Sequence, residues 1–315
     1  MSLRHWETYY RGGALASCPM SPDGGYTLEL REAWTEFFGS LRNGASVLDI
    51  GTGNGAIALL ARETADALGR RFEIRGTDLA GIDPVRDVQD GTRRFAGIRF
   101  HAHVATEHLP FAECEFDAVS GQYALEYSEP EPALAEIHRV LKLGGRARFI
   151  LHHSESVLVQ NARASLAQAA LVFEDTRVFR KLRRLLEAER APGRAARTAH
   201  ADLMAALAVL QSAAASIDNA LTLDVTVDAV QKLLAARRAM PPAACSRRVD
   251  QAEDDIRASV RRLHDLVGAS RSAADMQSLG RLASASGFEV AAIAPQRHAG
   301  THVVGWRMDL VRPGQ

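Results

Sequence analysis

The stretch VLDIGTGNGA, residues 47–56, decides how the rest of the chain is interpreted. It begins with an apolar run typical of a buried strand, turns at Gly51, Gly53 and Gly55, and leads into the apolar residues 57–60. Glycine lets the backbone approach a ligand closely, and free amides at a helix start attract electron-rich groups. The stretch therefore predicts a strand, a ligand-binding turn and a helix in succession.

A glycine turn alone is weak evidence, because dinucleotide-binding proteins carry one as well. Asp49 adds to it, since this acid lies inside the strand two positions before Gly51. The stretch RGTDL, residues 75–79, then places Asp78 at the end of the next predicted strand. Four further motifs follow in order: EHLPF (107–111), FDAV (116–119), EIHRVLKLGG (136–145) and SASGFEV (284–290).

These motifs resemble those of the class I S-adenosylmethionine-dependent methyltransferases, whose glycine motif has the form xLDxGxGxG. The later stretches resemble the family's E-x-LPF, FDxV and E-x-x-RVLKPGG motifs and its AGF segment, with Leu143 in place of the proline. The resemblance covers residues 45–153 and 272–312 and is strongest to the small-molecule branch that includes ubiquinone and menaquinone methyltransferases. It implies S-adenosyl-L-methionine as the cofactor.

Apolar runs alternate with helical patterns before residue 155 and after residue 270, which indicates βαβ units. We expect an α/β fold with a Rossmann-like, doubly wound, mostly parallel sheet of seven strands and a helical insertion after the fifth strand. Helices are predicted at about 54–68, 131–141 and 273–286. The second of these is predicted to have Lys142 in its last turn. The predicted strands are 46–50, 72–77, 98–103, 116–120, 147–152, 288–294 and 302–310.

The stretch 155–270 contains only two glycines, Gly193 and Gly268, and follows helical spacing throughout, with breaks at Pro192-Gly193 and Pro241-Pro242. About four helices are predicted there. The expected domains are an amino-terminal helical segment closing over the donor site (1–44), a cofactor-binding core (45–153), the helical insertion (154–271), and a last helix with two strands (272–315). The insertion is predicted to form a lid or wall over the acceptor site, or the surface of an oligomer such as a homodimer.

The resemblance also implies the residues that bind the cofactor. Asp49 is expected to orient the glycine turn and reach the amino group, and Asp78 to accept both ribose hydroxyls, because a carboxylate offers two acceptor oxygens. The alternatives are an acid that caps nearby amides for Asp49, a turn residue for Asp78, and Asp83 as the ribose ligand. Many relatives have an adenine-binding aspartate where this chain has Ala105, so that role passes to a backbone carbonyl or to Thr106, unless 105–107 is a plain loop. The expected cofactor-binding residues are Tyr10, Asp49, Gly51, Thr52, Gly53, Asn54, Gly55, Asp78, Leu79, Thr106, Glu107 and Gln122.

Candidate catalytic residues lie at the carboxyl edge of the sheet, where open α/β folds hold ligands. Tyr123 follows the fourth strand, and His152 and His153 end the fifth. Histidine titrates near neutrality and can take a proton from the acceptor. Strand alternation turns only one of the two histidines inward, and a polar strand-end pair is the alternative. All five tyrosines lie near the predicted site, which predicts an aromatic-walled pocket: Tyr9, Tyr10, Tyr26, Tyr123 and Tyr127.

Composition and motifs argue against a nucleic-acid-binding, a membrane-spanning and a metal-binding protein. With 38 basic and 38 acidic residues and 47% hydrophobic residues, the chain is predicted to be globular, with no overall field that attracts nucleic acid or membrane. Three cysteines without a CxxC pair, a charged amino terminus and no long apolar run predict a soluble, cytoplasmic protein without a membrane span. His101 and His103 share a strand face without a third ligand nearby, so we predict no metal site.

These features predict a methyltransferase that acts on an oxygen or nitrogen atom, rather than carbon, of a small organic molecule. The alternatives are a donor-binding regulatory or scaffolding protein without turnover, a nicotinamide-dependent oxidoreductase, and an RNA methyltransferase that uses the basic residues 177–184 of the insertion. Gln122-Tyr123 lacks the prolines of base-modifying enzymes, and Cys114 stands between two acids that disfavour a thiolate. We therefore expect no nucleic-acid partner.

Overall fold

The computed structural model describes residues 3–16, 28–191 and 193–314. The chain divides into two compact units. The first comprises Met1–Val159 and Gly268–Gln315, and the second is Gln160–Val267. Two residues named in the sequence analysis, Tyr26 and Pro192, lie outside the described residues.

The first unit is built on one seven-stranded sheet with the strand order β3-β2-β1-β4-β5-β7-β6. Neighbouring strands are parallel except around β7, which runs antiparallel to β5 and to β6. The expected α/β fold with a mostly parallel sheet is therefore confirmed. The strands are β1 (Ser46–Ile50), β2 (Glu73–Asp78), β3 (Ile98–Ala102), β4 (Phe116–Gln122), β5 (Leu141–Leu151), β6 (Glu289–His298) and β7 (His302–Val311).

Helices cover both faces of this sheet and also form the chain between β5 and β6. They are α1 (Arg4–Arg11), α2 (Leu28–Gly39), α3 (Ala56–Ala67), α4 (Pro84–Asp87), α5 (Gly91–Arg94), α6 (Pro130–Val140), α7 (Val157–Ala170), α8 (Val178–Ala188), α9 (Arg194–Ala214), α10 (Leu221–Ala236), α11 (Pro242–Ala269) and α12 (Ala273–Ala285). Among the described helices, none combines the length and the apolar character that crossing a bilayer requires.

The central strand β1 is buried on both faces, as expected for a parallel sheet. Val47 packs on one face with Trp34 of α2 and other apolar side chains of α2 and α3. Leu48 and Leu134 of α6 belong to the core on the opposite face. This double burial fixes the end of β1, and with it the position of the glycine turn that follows.

One boundary prediction was wrong. Helix α6 ends at Val140, so Lys142 lies in β5 and not in the last helical turn. Its ammonium group binds the carboxylate of Asp117 at 2.6 Å. Gly144, at φ +75°, donates its amide to the carbonyl of Arg312 at 2.8 Å. Gly144 and Gly145 therefore lie in an irregular part of β5 whose hydrogen-bond partners are distant in sequence, and they do not end α6.

The helical unit has a core of its own, to which α8, α9, α10 and α11 contribute buried apolar side chains. Gln168 stabilises one of its turns, because its side-chain amide donates to the carbonyl of Asn219 at 2.6 Å while its Oε1 accepts the amide of Thr222 at 3.1 Å. Five α-helices occupy the described chain between β5 and α12, where the sequence predicts about four. Two of the breaks between these helices, at residues 171–177 and 215–220, contain no proline or glycine to mark them.

Candidate functional site

The glycine turn after β1 has a backbone that favours glycine. Gly51, Gly53 and Gly55 have φ values of +55°, +51° and +82°, in the left-handed region that side chains rarely adopt. A Cβ atom on Gly53 would lie 2.7 Å from the ring of Tyr10. The turn therefore presents a bare backbone surface at the start of α3.

Asp49 is buried beneath this turn and holds it in place. Its Oδ2 accepts the hydroxyl of Thr52 at 2.6 Å, and its Oδ1 accepts the hydroxyl of Ser120 at 2.9 Å. Burial raises the pKa of Asp49 to about 7, and the nearby carboxylate of Asp78 also raises it. A cationic ligand at this position would stabilise the ionised carboxylate.

Asp78, at the end of β2, adjoins the same turn. Its Oδ2 accepts the amide of Gly53 at 2.8 Å, and its Oδ1 accepts the amide of Ala80 at 2.8 Å. Burial raises its pKa to about 6. Asp83, the other candidate for the ribose ligand, instead precedes α4 and accepts the amide of Arg86 at 3.2 Å.

A cavity adjoins the glycine turn, and we call it the turn cavity. It brings together residues from the amino-terminal segment, the turn and the end of β4: Tyr10, Leu15, Ala16, Asp49, Gly51, Thr52, Gly53, Asn54, Ala56, Ile57 and Gln122. The side-chain amide of Asn54 donates to the carbonyls of Tyr10 and Ala14, both at 2.8 Å. The amino-terminal segment is thereby bound to the turn itself.

Five predicted ligands do not belong to the lining of this cavity: Gly55, Asp78, Leu79, Thr106 and Glu107. Leu79 is exposed. Thr106 and Glu107 follow β3, and the carboxylate of Glu107 accepts the amide of Glu129 at 2.7 Å, next to the start of α6. The amide of Val104 donates to the carbonyl of Asp78 at 2.9 Å, so the segment after β3 still begins beside Asp78.

Tyr123 directly follows β4 in a strained conformation. Its φ is +54°, which costs a residue other than glycine about 1–3 kcal/mol. Its hydroxyl donates to the carbonyl of Val304 at 2.9 Å, and its ring stacks on His152 with centroids 4.1 Å apart. The hydroxyl proton is engaged by the backbone, so Tyr123 contributes its ring to the site.

Both predicted histidines are buried, at 1% exposure for His152 and 9% for His153. They directly follow β5, which ends at Leu151, and their rings pack against different partners. The ring of His153 stacks on Trp306 at 4.3 Å, and its Nδ1 accepts the amide of Glu155 at 3.0 Å. Burial lowers the pKa of His152 to about 3 and also lowers that of His153.

Glu126 is a residue that sequence reasoning missed. It lies in a single helical turn after β4, it is 4% exposed, and its Oε1 accepts the amide of His152 at 2.7 Å. Burial raises its pKa to about 7. Its only sequence signal is an acid between apolar neighbours in the stretch 121–127, which also contains Tyr123 and Tyr127. We call Tyr123, Glu126, Tyr127 and His152 the edge cluster.

Aromatic rings connect the turn cavity to the edge cluster. Trp6 stacks on Tyr10 at 6.1 Å and meets Tyr127 edge-on at 6.0 Å. Tyr127 in turn meets His152 edge-on at 6.1 Å. Helix α1 therefore contacts both parts of the candidate site.

Residues 48–149, about a third of the chain, match the family described as methyltransferase domain. The sheet order, the glycine turn after β1 and the carboxylate at the end of β2 fit the S-adenosylmethionine-dependent methyltransferases that the motifs resemble. The resemblance found in the motifs and the cofactor that it implies are thereby confirmed.

Curated relatives include the ubiquinone/menaquinone biosynthesis C-methyltransferase UbiE of Xanthomonas campestris, which is 34% identical over 41% of this chain and 51% of that protein. The protein of the same name from Stenotrophomonas maltophilia is 32% identical over the same shares. The chain thus spans about half the length of the curated relatives it matches. A solved SAM-dependent methyltransferase from Aquifex aeolicus is 13% identical, with a TM-score of 0.44 over 90% of this chain and 92% of that one.

Proposed function

We propose that this protein transfers a methyl group from S-adenosylmethionine to an oxygen or nitrogen atom of a small organic molecule. The observation that carries the proposal is the turn cavity, which is lined by a bare glycine backbone and Asp49, while Asp78 binds the amide of Gly53 in the same turn. When bound, S-adenosylmethionine supplies a methyl group on a positively charged sulfur. Two carboxylates buried beside the turn suit a cationic ligand, because its charge offsets the cost of burying them ionised.

Two unpartnered atoms test whether the turn cavity fits the amino-acid end of this cofactor. Among the described residues, Asn54 Oδ1 and Gln122 Nε2 are buried without a hydrogen-bond partner. Their orientations are fixed, because Asn54 Nδ2 donates to two carbonyls and Gln122 Oε1 accepts the indole of Trp34 at 2.6 Å. One free acceptor and one free donor match an ammonium and a carboxylate group.

We assign the other predicted residues by position. Asp78 would hold the ribose hydroxyls, and Asp49 would act through the turn that it orients. The segment around Thr106 begins beside Asp78 and would approach the adenine. The edge cluster, at the carboxyl end of β4 and β5, would face the methyl acceptor.

Two other methyl acceptors are possible, a carbon atom of a small molecule and an RNA. The curated relatives are named C-methyltransferases of ubiquinone and menaquinone biosynthesis, which makes a carbon atom of a similar ring compound the second candidate acceptor. An RNA acceptor is less favoured, because Arg183 binds Asp250 and Glu253, each at 2.6 Å, and Arg184 binds Asp202 at 3.3 Å. Acidic side chains thus offset part of the basic cluster in the helical unit.

Calorimetry with S-adenosylhomocysteine and with NAD tests the donor site. We expect binding of the former and none of the latter, and the reverse would reject the proposal. Transfer of radiolabelled methyl from S-adenosylmethionine to a panel of phenols, alcohols, amines and hydroquinones then tests turnover. Binding without any methylated product would favour a regulatory protein, and NMR of a product would distinguish an oxygen, nitrogen or carbon target.

A further inference from the structure

Exposed apolar side chains are concentrated in one part of the helical unit. Among the described residues, ten large hydrophobic side chains are exposed, and five of them lie between residues 204 and 225. These five are 43% to 61% exposed: Met204, Val209, Ile217, Leu221 and Val225. Single exposed apolar residues are normal, whereas a concentration of them marks a surface that another molecule covers.

The outward side of α9 carries no charge over most of its length. Residues 203–217, LMAALAVLQSAAASI, contain no acidic or basic side chain. The buried side of this stretch contributes Leu203, Leu207 and Leu210 to the core of the helical unit. Its exposed side has four apolar residues on one helical face, and we call them the α9 face: Met204, Ala205, Ala208 and Val209.

The α9 face differs from the outward side of an ordinary surface helix, which is charged or polar. Helix α11 of the same unit follows the ordinary pattern, with Arg247, Asp254 and Arg257 exposed while Val249 and Ile256 are buried. A helix that is apolar on all sides is normally buried on all sides. The α9 face is therefore suited to contact with a further apolar surface.

The charges at the two ends of the α9 face have opposite signs. Arg194 and Arg197 are exposed in the first turn of α9. Asp218 is exposed in the turn that follows α9, and Asp224 in the first turn of α10. None of these four side chains forms an ion pair with another described residue. A surface with a neutral middle and opposite charges at its ends is complementary to a second copy of itself in antiparallel orientation.

We propose that two copies of this chain associate through the α9 face, with their α9 helices antiparallel about a two-fold axis near Ala208. Arg197 of each copy then lies level with Asp218 of the other, because these two residues are almost equally far from Ala208 in sequence. The short side chains of Ala205 and Ala208 let the two helix backbones approach closely. The interface uses only the helical unit, so the proposal does not rest on the proposed function.

The distribution of charge favours a second copy over a lipid surface. Helices that bind anionic membranes carry basic residues beside their apolar face. Here the acids Asp218 and Asp224 lie within three residues of the exposed Ile217 and Leu221. Anionic headgroups would repel these acids, whereas the antiparallel dimer places arginines at the same end.

Sedimentation velocity of the full chain at low to high micromolar concentration tests the proposal. We expect a monomer–dimer equilibrium in the wild type. Ala208→Glu places two like charges opposite each other at the axis, which costs several kcal/mol, and should raise the dimer Kd by roughly tenfold or more. Ala164→Glu, at an exposed position of α7 in the same unit, is the control and should leave the Kd within about twofold of the wild type. A wild type that stays monomeric, or a dimer that Ala208→Glu leaves unchanged, overturns the proposal.

A charge exchange tests the antiparallel arrangement. Arg197→Glu and Asp218→Arg should each raise the dimer Kd by about threefold, because each sets like charges against each other. The double variant restores opposite charges and should return to within about twofold of the wild type. Absence of this recovery overturns the proposed arrangement.

Cross-linking measures the same geometry without a change of charge. Ala208→Cys should form an intermolecular disulfide under oxidation much faster than Ala164→Cys, because only residues near the two-fold axis meet their own copies. Equal rates overturn the proposal. Binding of a monomeric wild type to phosphatidylglycerol vesicles, lost in Ala208→Glu, would assign the α9 face to lipid and also overturn it.

Discussion

The side-chain amide of Asn54 donates to the backbone carbonyl of Tyr10 at 2.8 Å, while the ring of Tyr10 covers Gly53, the residue just before Asn54. A single residue of the glycine turn thus binds the amino-terminal segment to the donor site. Since α1 also contacts the edge cluster through Trp6, the state of this segment affects both halves of the site.

Asn54→Ala should loosen the amino-terminal segment. The substitution removes two hydrogen bonds, to Tyr10 and Ala14, together worth about 1–3 kcal/mol. Hydrogen exchange of residues 3–16 should therefore speed up by roughly tenfold or more, measured by mass spectrometry. Asn43→Ala, which removes a contact to the amide of Arg71, is the control and should leave that exchange unchanged. Equal protection in Asn54→Ala and wild type would contradict the prediction.

Gly53→Ala should destabilise the fold and abolish donor binding. Alanine at position 53 would have to adopt a left-handed backbone conformation, and its Cβ would lie 2.7 Å from the Tyr10 ring. Gly69→Ala is a matched control, because Gly69 has φ +63° but no atom within 4 Å of the added carbon. Both variants should lose about 1 kcal/mol from the backbone strain. Only Gly53→Ala should lose more than that in urea unfolding and also lose calorimetric binding of S-adenosylhomocysteine.

Asp78→Ala should weaken binding of S-adenosylhomocysteine by roughly 10- to 100-fold, because hydrogen bonds to a charged acceptor contribute about 1.5–3 kcal/mol. The comparison is Asp83→Ala, which removes the acceptor at the start of α4 and should leave the calorimetric Kd within twofold. A loss of affinity in Asp83→Ala, with Asp78→Ala unaffected, would assign the ribose to the other acid.

Stability should depend on pH through Asp49. Burial raises the pKa of Asp49 to about 7 from an ordinary value of 3.8, so the folded state binds more protons than the unfolded state between about pH 4 and 7. The contribution of this group to the free energy of unfolding is therefore present at low pH and is lost as the pH rises through 7.

Asp49→Asn should flatten this dependence. Its free energy of unfolding from urea titrations should fall less between pH 5 and pH 8 than that of the wild type, although donor affinity is reduced. Asp66→Asn, at an exposed position of α3, should keep the wild-type dependence. A slope in Asp49→Asn equal to that of the wild type would show that the acid ionises normally.

The sheet and the glycine turn are predictable from the sequence because their signals are local. Apolar runs mark β1 and β4, and Gly51, Gly53 and Gly55 mark the turn that binds the end of β2. The bulge at Lys142 was not predictable, because its partners, Asp117 and Arg312, come from other parts of the chain.

The edge cluster shows the same limit at the site. The histidines could be found from their position, but their burial depends on Tyr123 and Trp306, which lie far from them in sequence. Glu126 resembles an ordinary surface acid until the chain folds and places its carboxyl group against His152.

The chain leaves the sheet and returns to it at one point, where His153 pairs with Arg271 in a parallel bridge and the amide of Arg271 donates to the carbonyl of His152 at 2.8 Å. Backbone hydrogen bonds between residues 152–153 and Arg271 therefore hold the two ends of the intervening chain together, whatever the length of Gln160–Val267. Replacing Gln160–Val267 with a shorter or unrelated segment would therefore leave the strand register intact. Related proteins could diverge by exchanging this segment while the sheet stays the same.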